Sequence, residues 1–156
     1  RRFVHEELGW NFRKSNLQAA LGVAQWERWD EFIGIKRRMG ARYTELLADL
    51  PQLELPLARN EHAENIYWVY GLLLKKSAGF DAAEAMRRLA KAGIGTRPFF
   101  WPMHEQPVFQ RMGLFRGETY PGAERMARYG FYIPSGMNLT DAQLQQTVEA
   151  IRNLWA

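Results

Sequence analysis

Residues 9–22 read Gly9-Trp10-Asn11-Phe12-Arg13-Lys14-Ser15-Asn16-Leu17-Gln18-Ala19-Ala20-Leu21-Gly22, an aromatic and polar turn that runs into the start of a helix. Ser15 is placed to accept hydrogen bonds from the open N–H groups of that helix. Asn11 and Arg13 are two residues apart, so in an extended segment both side chains leave from one face and could converge on one anion. The spacing alone favours a plainer alternative, in which Asn11 closes a turn and Arg13 is solvated.

Two helical periods follow this turn. Apolar residues recur at helical spacing from Ser15 to Asp30, and again from Ile35 to Leu50, where Pro51 ends the pattern. The first helix carries the small residues Ala19, Ala20 and Gly22. They favour close packing against another element, either in this chain or in a partner subunit.

The middle of the chain predicts a strand, a helix and a second strand. Leu53–Leu55 is a short strand candidate, and residues 65–74 are aromatic and β-branched enough for a central, buried strand. Asp81 is placed to cap a helix that Gly93 closes, and residues 93–100 are predicted to return as a strand. The fold class predicted is α+β, a small antiparallel or mixed sheet with helices packed on it.

The last third of the chain contributes shorter elements. Prolines break residues 99–106 into a loop, and Pro121 begins a short helix that Gly130 ends. Residues 131–134 are predicted to form a short edge strand at most. Thr140 caps a final helix whose apolar stripe runs to Trp155.

Composition excludes several classes of protein. The 156 residues contain no cysteine, which removes disulfide frameworks, thiolate zinc sites and cysteine nucleophiles. The net charge of +4 is scattered, and its densest cluster, Lys36-Arg37-Arg38, is typical of a solvated helix face, so no nucleic-acid partner is expected. No apolar run suits a membrane span and no signal-peptide pattern opens the chain, so we expect no membrane partner and a cytoplasmic location. The three histidines are far apart in sequence and argue against a metal site.

Three ordered motifs carry a resemblance to a known family. They are residues 9–22 continuing into Ala24-Gln25-Trp26-Glu27-Arg28, then Gly93-Ile94-Gly95-Thr96-Arg97-Pro98-Phe99-Phe100-Trp101-Pro102-Met103-His104, and Tyr132-Ile133-Pro134-Ser135-Gly136 followed by Leu139-Thr140. Together they resemble the segment that follows the cofactor lysine in DegT/StrS-type sugar aminotransferases. The string from Thr96 to His104 is most similar to the GDP-perosamine synthase branch.

The resemblance implies a pyridoxal-phosphate enzyme that transfers an amino group from glutamate to a nucleotide-linked keto-sugar, with GDP-4-keto-6-deoxymannose the expected substrate. It also implies a homodimer. Residues 1–156 would be the C-terminal small domain of an aspartate-aminotransferase-like fold, with connecting helices at about 15–50, including a long interdomain helix. Arg1 leads almost directly into an interior motif, so we expect a large cofactor-binding domain upstream that this chain lacks.

Site residues follow from the same resemblance. Asn11, or Arg13 if the register shifts, would reach the phosphate of the partner subunit's cofactor. The substrate loop would use Arg97, Phe99, Phe100, Trp101 and His104, although a lone histidine near prolines is more often structural. None of the five lysines has the family's Gly-rich context, so we expect this chain alone neither to transaminate nor to retain the cofactor. Two alternatives stay open: a sugar-dehydratase relative, and a non-catalytic dimerisation or regulatory domain.

Overall fold

A four-stranded antiparallel sheet forms the centre of the protein, for which a computed structural model describes residues 2–155. The strands are β1 (Leu53–Glu54), β2 (Tyr70–Leu74), β3 (Arg97–Pro98) and β4 (Gly130–Ile133), in the spatial order β1, β2, β4, β3. Every neighbouring pair is antiparallel. The predicted α+β class with a small sheet is thereby confirmed.

The described part of the chain forms six α-helices: α1 (Asn16–Trp26), α2 (Trp29–Leu47), α3 (Ala82–Lys91), α4 (Pro107–Arg111), α5 (Pro121–Tyr129) and α6 (Asp141–Arg152). Single 3-10 turns cover Lys76–Ala78, Met103–Glu105 and Asn153–Trp155. The predicted caps are confirmed, since Ser15, Asp81 and Thr140 each accept an N–H from the first turn of their helix. None of these helices is both long and apolar enough to cross a bilayer.

The core lies on one face of the sheet, beneath α2, α3 and α6. Alternate residues of β2 point into it, with Tyr70, Leu72 and Leu74 almost completely buried. Tyr43 of α2 donates to the Pro134 carbonyl, and Tyr70 pairs with the hydroxyl of Thr44 at 2.8 Å. Burial raises the pKa of Tyr70 to about 12, so these core phenols stay neutral and available as hydrogen-bond donors.

The strands differ from the sequence prediction in extent and in order. Only the second half of residues 65–74 is a strand, because Asn65 accepts the Tyr67 N–H and Tyr67 turns the chain with φ 51°. β3 is two residues long rather than the eight of the 93–100 prediction. β4 was predicted as an edge strand, which is wrong: it lies between β2 and β3 and is paired on both sides.

Helix α1 projects from this body with its apolar face uncovered. Nothing in α1 is buried, and Leu17 and Leu21, one turn apart on its apolar face, are 82% and 71% exposed. The small residues of this helix are predicted to pack either on another element of this chain or on a partner subunit. Within residues 2–155 no element packs on them. The stripe seen in the sequence is real, but nothing in residues 2–155 covers it.

Candidate functional site

The face of the sheet opposite the core carries the residues of interest. Gly71 of β2 stands opposite Tyr132 of β4, and Tyr132 stands opposite Arg97 of β3. Residues that stand directly opposite in neighbouring strands share a face. The register therefore aligns a glycine, a phenol and a guanidinium in one row across three strands.

Phe99 packs into a notch made by two glycines of this face. Its ring lies over Gly71 and Gly130, where a Cβ on Gly71 would come within 2.7 Å of the ring and a Cβ on Gly130 would overlap it. The same ring contacts that of Tyr132 at 4.8 Å between centroids. Both glycines are therefore required for close approach of Phe99 to the sheet.

An open pocket of about 620 Å³ lies beside Arg97 and Tyr132. This volume suits a small-molecule ligand. Its lining combines two guanidinium groups with aromatic rings and small polar groups: Arg2, Arg97, Phe3, Trp68, Phe100, Tyr132, Thr96 and Ser135, with Val69, Gly95, Ile133 and Pro134 completing it. The described lining holds no carboxylate, so the pocket is chemically suited to an anion that also carries a flat, apolar part.

Lys36 of α2 fixes one rim of this pocket. Its ammonium donates to the Trp68 carbonyl at 3.0 Å and to the Ser135 carbonyl. Burial lowers the pKa of Lys36 below its usual value. One side chain thus ties together the two loops that contribute Trp68 and Ser135 to the lining.

The structure divides the predicted substrate residues between two neighbouring hollows. Arg97 and Phe100 line the pocket described above, where the Phe100 ring contacts the Phe3 ring at a tilt of 52° with centroids 4.7 Å apart. Phe99, Phe100 and Trp101 line a second, largely apolar hollow with Met103 and Met126. Phe100 and Tyr132 belong to both, so the two hollows are contiguous.

His104 lies apart from both hollows, in a buried polar network. It is 6% exposed, and its Nε2 is 3.0 Å from Glu124 Oε1. Glu124 also accepts the Tyr120 backbone N–H, which with His104 lowers the pKa of the Glu124 carboxyl. His104, Glu105 and Glu124 offer ligand atoms within 4.8 Å of one another, but the Arg128 guanidinium already binds both oxygens of Glu105. These contacts hold α5 against the Met103–Glu105 turn.

Asn11 and Arg13 lie outside the pocket, in an exposed segment. Asn11 Oδ1 accepts the Arg13 N–H at 2.9 Å, and Arg13 holds a left-handed φ of 63°. The segment is therefore turned rather than extended, which removes the premise that the two side chains leave from one face. Among residues 2–155 the amide nitrogen of Asn11 donates to no other group, so its two N–H donors remain for a ligand.

Sequence reasoning missed several lining residues. Tyr132 and Ser135 belong to the third motif, which does not distinguish binding residues from structural ones, and Arg2, Phe3 and Trp68 carry no local signal. They reach the pocket through strand order and loop packing, which are not readable from spacing.

Comparison with known proteins places this geometry in context. Residues 1–152 match the DegT/DnrJ/EryC1/StrS aminotransferase family. The chain belongs to this family. Aminotransferases of the DegT family depend on pyridoxal phosphate, and the resemblance inferred from the three motifs is confirmed.

Individual relatives agree with the family assignment. GDP-perosamine synthase of Vibrio cholerae is 31% identical over 154 residues, which are 98% of this chain and 41% of that protein. The dTDP-4-dehydro-2,6-dideoxy-D-glucose 3-dehydratase of Saccharopolyspora spinosa is 26% identical, and the match covers 96% of this chain and 32% of that protein. The crystal structure of the sugar aminotransferase CalS13 from Micromonospora echinospora superposes with a TM-score of 0.74 at 28% identity, over 94% of this chain and 37% of that one. The chain thus spans well under half the length of each of these DegT-family relatives.

Proposed function

We propose that this chain is the C-terminal small domain of a pyridoxal-phosphate-dependent aminotransferase that aminates a nucleotide-linked keto-sugar, with glutamate as the amino donor. GDP-4-keto-6-deoxymannose is the proposed substrate, since a GDP-perosamine synthase is among the relatives. The observation that carries the proposal is the pocket at Arg97, Phe100 and Tyr132 in a chain of the DegT family.

The pocket supplies both kinds of contact that a sugar nucleotide needs. The Arg97 guanidinium can form paired hydrogen bonds to a phosphate, and it stands beside the Tyr132 ring on the open face of the sheet. Phe100 and Trp68 offer flat surfaces for a base or a sugar ring. Burial raises the pKa of Tyr132, so its hydroxyl remains a donor at neutral pH.

The cofactor residues fit the proposed role by their donor chemistry. Pyridoxal phosphate, when bound, supplies the carbonyl group and electron sink for amino transfer. Its phosphate only accepts hydrogen bonds, and the Asn11 amide nitrogen and the Arg13 guanidinium have N–H donors to offer it. Both lie away from the pocket at Arg97, as expected if they serve the partner subunit's site. We propose that the Schiff-base lysine lies outside this chain. Among residues 2–155, Lys36 is the lysine that binds the two loops at the pocket, and both of those contacts are to backbone carbonyls.

The uncovered face of α1 supports a homodimer. The helix begins shortly after Asn11 and Arg13, and it exposes Leu17 and Leu21, which are four residues apart and therefore share one face. Exposed apolar side chains that lie together on the surface of a soluble protein typically mark an interface with another protein. We propose that the partner subunit covers α1 in the complete protein, which would bring Asn11 to the partner's cofactor.

Substitution of Arg97 in the complete protein tests the substrate assignment. Loss of a charge-assisted contact to phosphate is worth about 1.5–3 kcal/mol, so Arg97→Ala should raise the KM for the sugar nucleotide by roughly ten- to a hundredfold while pyridoxal phosphate stays bound. The matched control is Arg59→Ala, whose side chain is 75% exposed and outside the pocket. Equal KM values in the two variants would remove Arg97 from the substrate site.

A sugar dehydratase is the second candidate, because the Saccharopolyspora 3-dehydratase matches nearly the whole chain. The two reactions differ in their product. An aminotransferase replaces the keto oxygen with an amino group taken from glutamate, whereas a 3-dehydratase removes a hydroxyl group and incorporates no nitrogen. Glutamate labelled with ¹⁵N therefore distinguishes them by whether the label enters the sugar.

A further inference from the structure

The side chain of Gln106 is hydrogen-bonded to the N-terminal segment of residues 2–6. It is 4% exposed, its Oε1 accepts the His5 N–H at 2.9 Å, and its Nε2 donates to the Phe3 carbonyl at 2.9 Å and the Trp101 carbonyl at 3.2 Å. Both amide hydrogens and one acceptor position of a buried side chain are thereby used. A single glutamine joins the N-terminal segment to the loop that follows β3.

Other contacts place the same segment on the pocket. The His5 carbonyl accepts the Val108 N–H at 3.2 Å, and Glu6 pairs with Arg111 at 2.5 Å. Phe3 holds a left-handed φ of 63°, a conformation that is costly for a phenylalanine and persists only where the surroundings impose it. That turn sets the Phe3 ring on Phe100 and brings Arg2 to the pocket lining.

We infer that Gln106 is a positioning residue for the substrate pocket: it holds residues 2–6 so that Arg2 joins Arg97 as a second guanidinium and Phe3 forms an aromatic wall. The inference rests on the proposed function. Two guanidinium groups and no carboxylate in the described lining match a diphosphate better than a single phosphate. The ligand class that the segment selects is therefore the diphosphate of a sugar nucleotide.

The test is a double-mutant cycle on binding of GDP to the complete protein, measured by titration calorimetry. Arg2→Ala and Gln106→Leu should each weaken binding by about tenfold or more. The double variant should be no weaker than Gln106→Leu alone, because Gln106 acts through the placement of Arg2 and Phe3. Gln106→Glu keeps the acceptor for the His5 N–H but loses the donor to the Phe3 carbonyl. It should therefore weaken GDP binding by about as much as Gln106→Leu does. Gln145→Leu on the exposed surface of α6 is the matched control and should bind as the parent does.

The outcomes separate this inference from the proposed function. Unchanged GDP affinity in Arg2→Ala, which alters only an exposed side chain, overturns the inference even if the Gln106 variants do not fold. Additive losses in the double variant also overturn it, since Gln106 would then act on its own. If the parent protein and Arg97→Ala bind GDP equally poorly, the pocket is not the nucleotide site and the proposed function fails with it.

Discussion

The glycine notch beneath Phe99 gives the sharpest stability prediction. Gly71→Ala places a methyl group within 2.7 Å of the Phe99 ring, whereas the next nearest side chain, Tyr132, is 3.8 Å away, an ordinary contact. Overpacking of this kind costs about 1–3 kcal/mol. Alanine regains about 0.5–1 kcal/mol of the backbone entropy that glycine loses on folding. We expect Gly71→Ala to lower the free energy of unfolding by about 1 kcal/mol, within limits of about 0 and 2.5 kcal/mol.

Removing the ring should remove the penalty. In a Phe99→Ala background the added methyl meets only Tyr132, so Gly71→Ala should be neutral or slightly stabilising. Gly130→Ala is the matched comparison, because its Cβ would also stand 2.5 Å from the Met126 backbone carbonyl, which cannot move away as a side chain can. That substitution should remain destabilising after Phe99 is removed.

Urea unfolding of the four Gly71 and Phe99 combinations measures the coupling, with the m-value as a check on two-state behaviour. Contact between the two sites predicts a coupling free energy above about 1 kcal/mol. Additivity within about 0.5 kcal/mol, the range typical of independent sites, would show that Phe99 does not rest on Gly71. The placement of the Phe99 ring over the two-glycine notch would then be wrong.

Two further predictions concern α1 and α3. Leu21→Ala should change the stability of this chain by less than about 0.5 kcal/mol because Leu21 is 71% exposed, while Leu72→Ala in the core should cost about 2–5 kcal/mol. In the complete protein Leu21→Asp should weaken the proposed dimer. An unchanged dimer in light scattering would argue against α1 as the interface. Arg87 and Arg88 lower the pKa of Glu84 from 4.5 to about 2, so the stability that this carboxylate contributes is present above pH 4.5 and is lost as the pH falls towards 2. Unfolding midpoints of the parent and Glu84→Gln should therefore converge over that window, and a difference independent of pH would contradict the ion pairs.

Local signals in the sequence predicted the helices well. Asp81 and Thr140 are hydrogen-bonded caps, and Gly93 has the left-handed φ of 77° that a helix-ending glycine supplies. These features depend on residues within one turn of each other. The sequence alone was therefore sufficient to identify them.

Features set by distant contacts were not predictable. β4 is a central strand because β2 and β3 pair with it from both sides, yet its four residues carry no periodicity that would reveal this. The five-residue helix α4 is too short to show a helical period. The stripe of α1 is apolar in sequence, but amphipathicity does not state whether the covering surface belongs to the same chain.

The candidate site was predicted in part. The motif around Arg97 did identify a segment that lines a pocket, but Arg2, Phe3 and Trp68 join it only through the fold. His104 has the buried, hydrogen-bonded setting of a structural histidine, while its role in substrate binding stays a prediction. The role of Asn11 and Arg13 likewise stays a prediction, since they would bind the cofactor phosphate of a partner subunit and not a group of this chain.

The decisive measurement is the reaction of the complete protein with pyridoxal phosphate, ¹⁵N-glutamate and GDP-4-keto-6-deoxymannose, followed by mass spectrometry of the sugar nucleotide. A sugar aminotransferase yields a GDP-linked amino-sugar that carries the label, and Arg97→Ala yields the same product only at much higher substrate concentration. A product that has lost a hydroxyl group without gaining nitrogen would identify a dehydratase instead. No labelled sugar from this or any other nucleotide-linked keto-sugar would contradict the aminotransferase assignment.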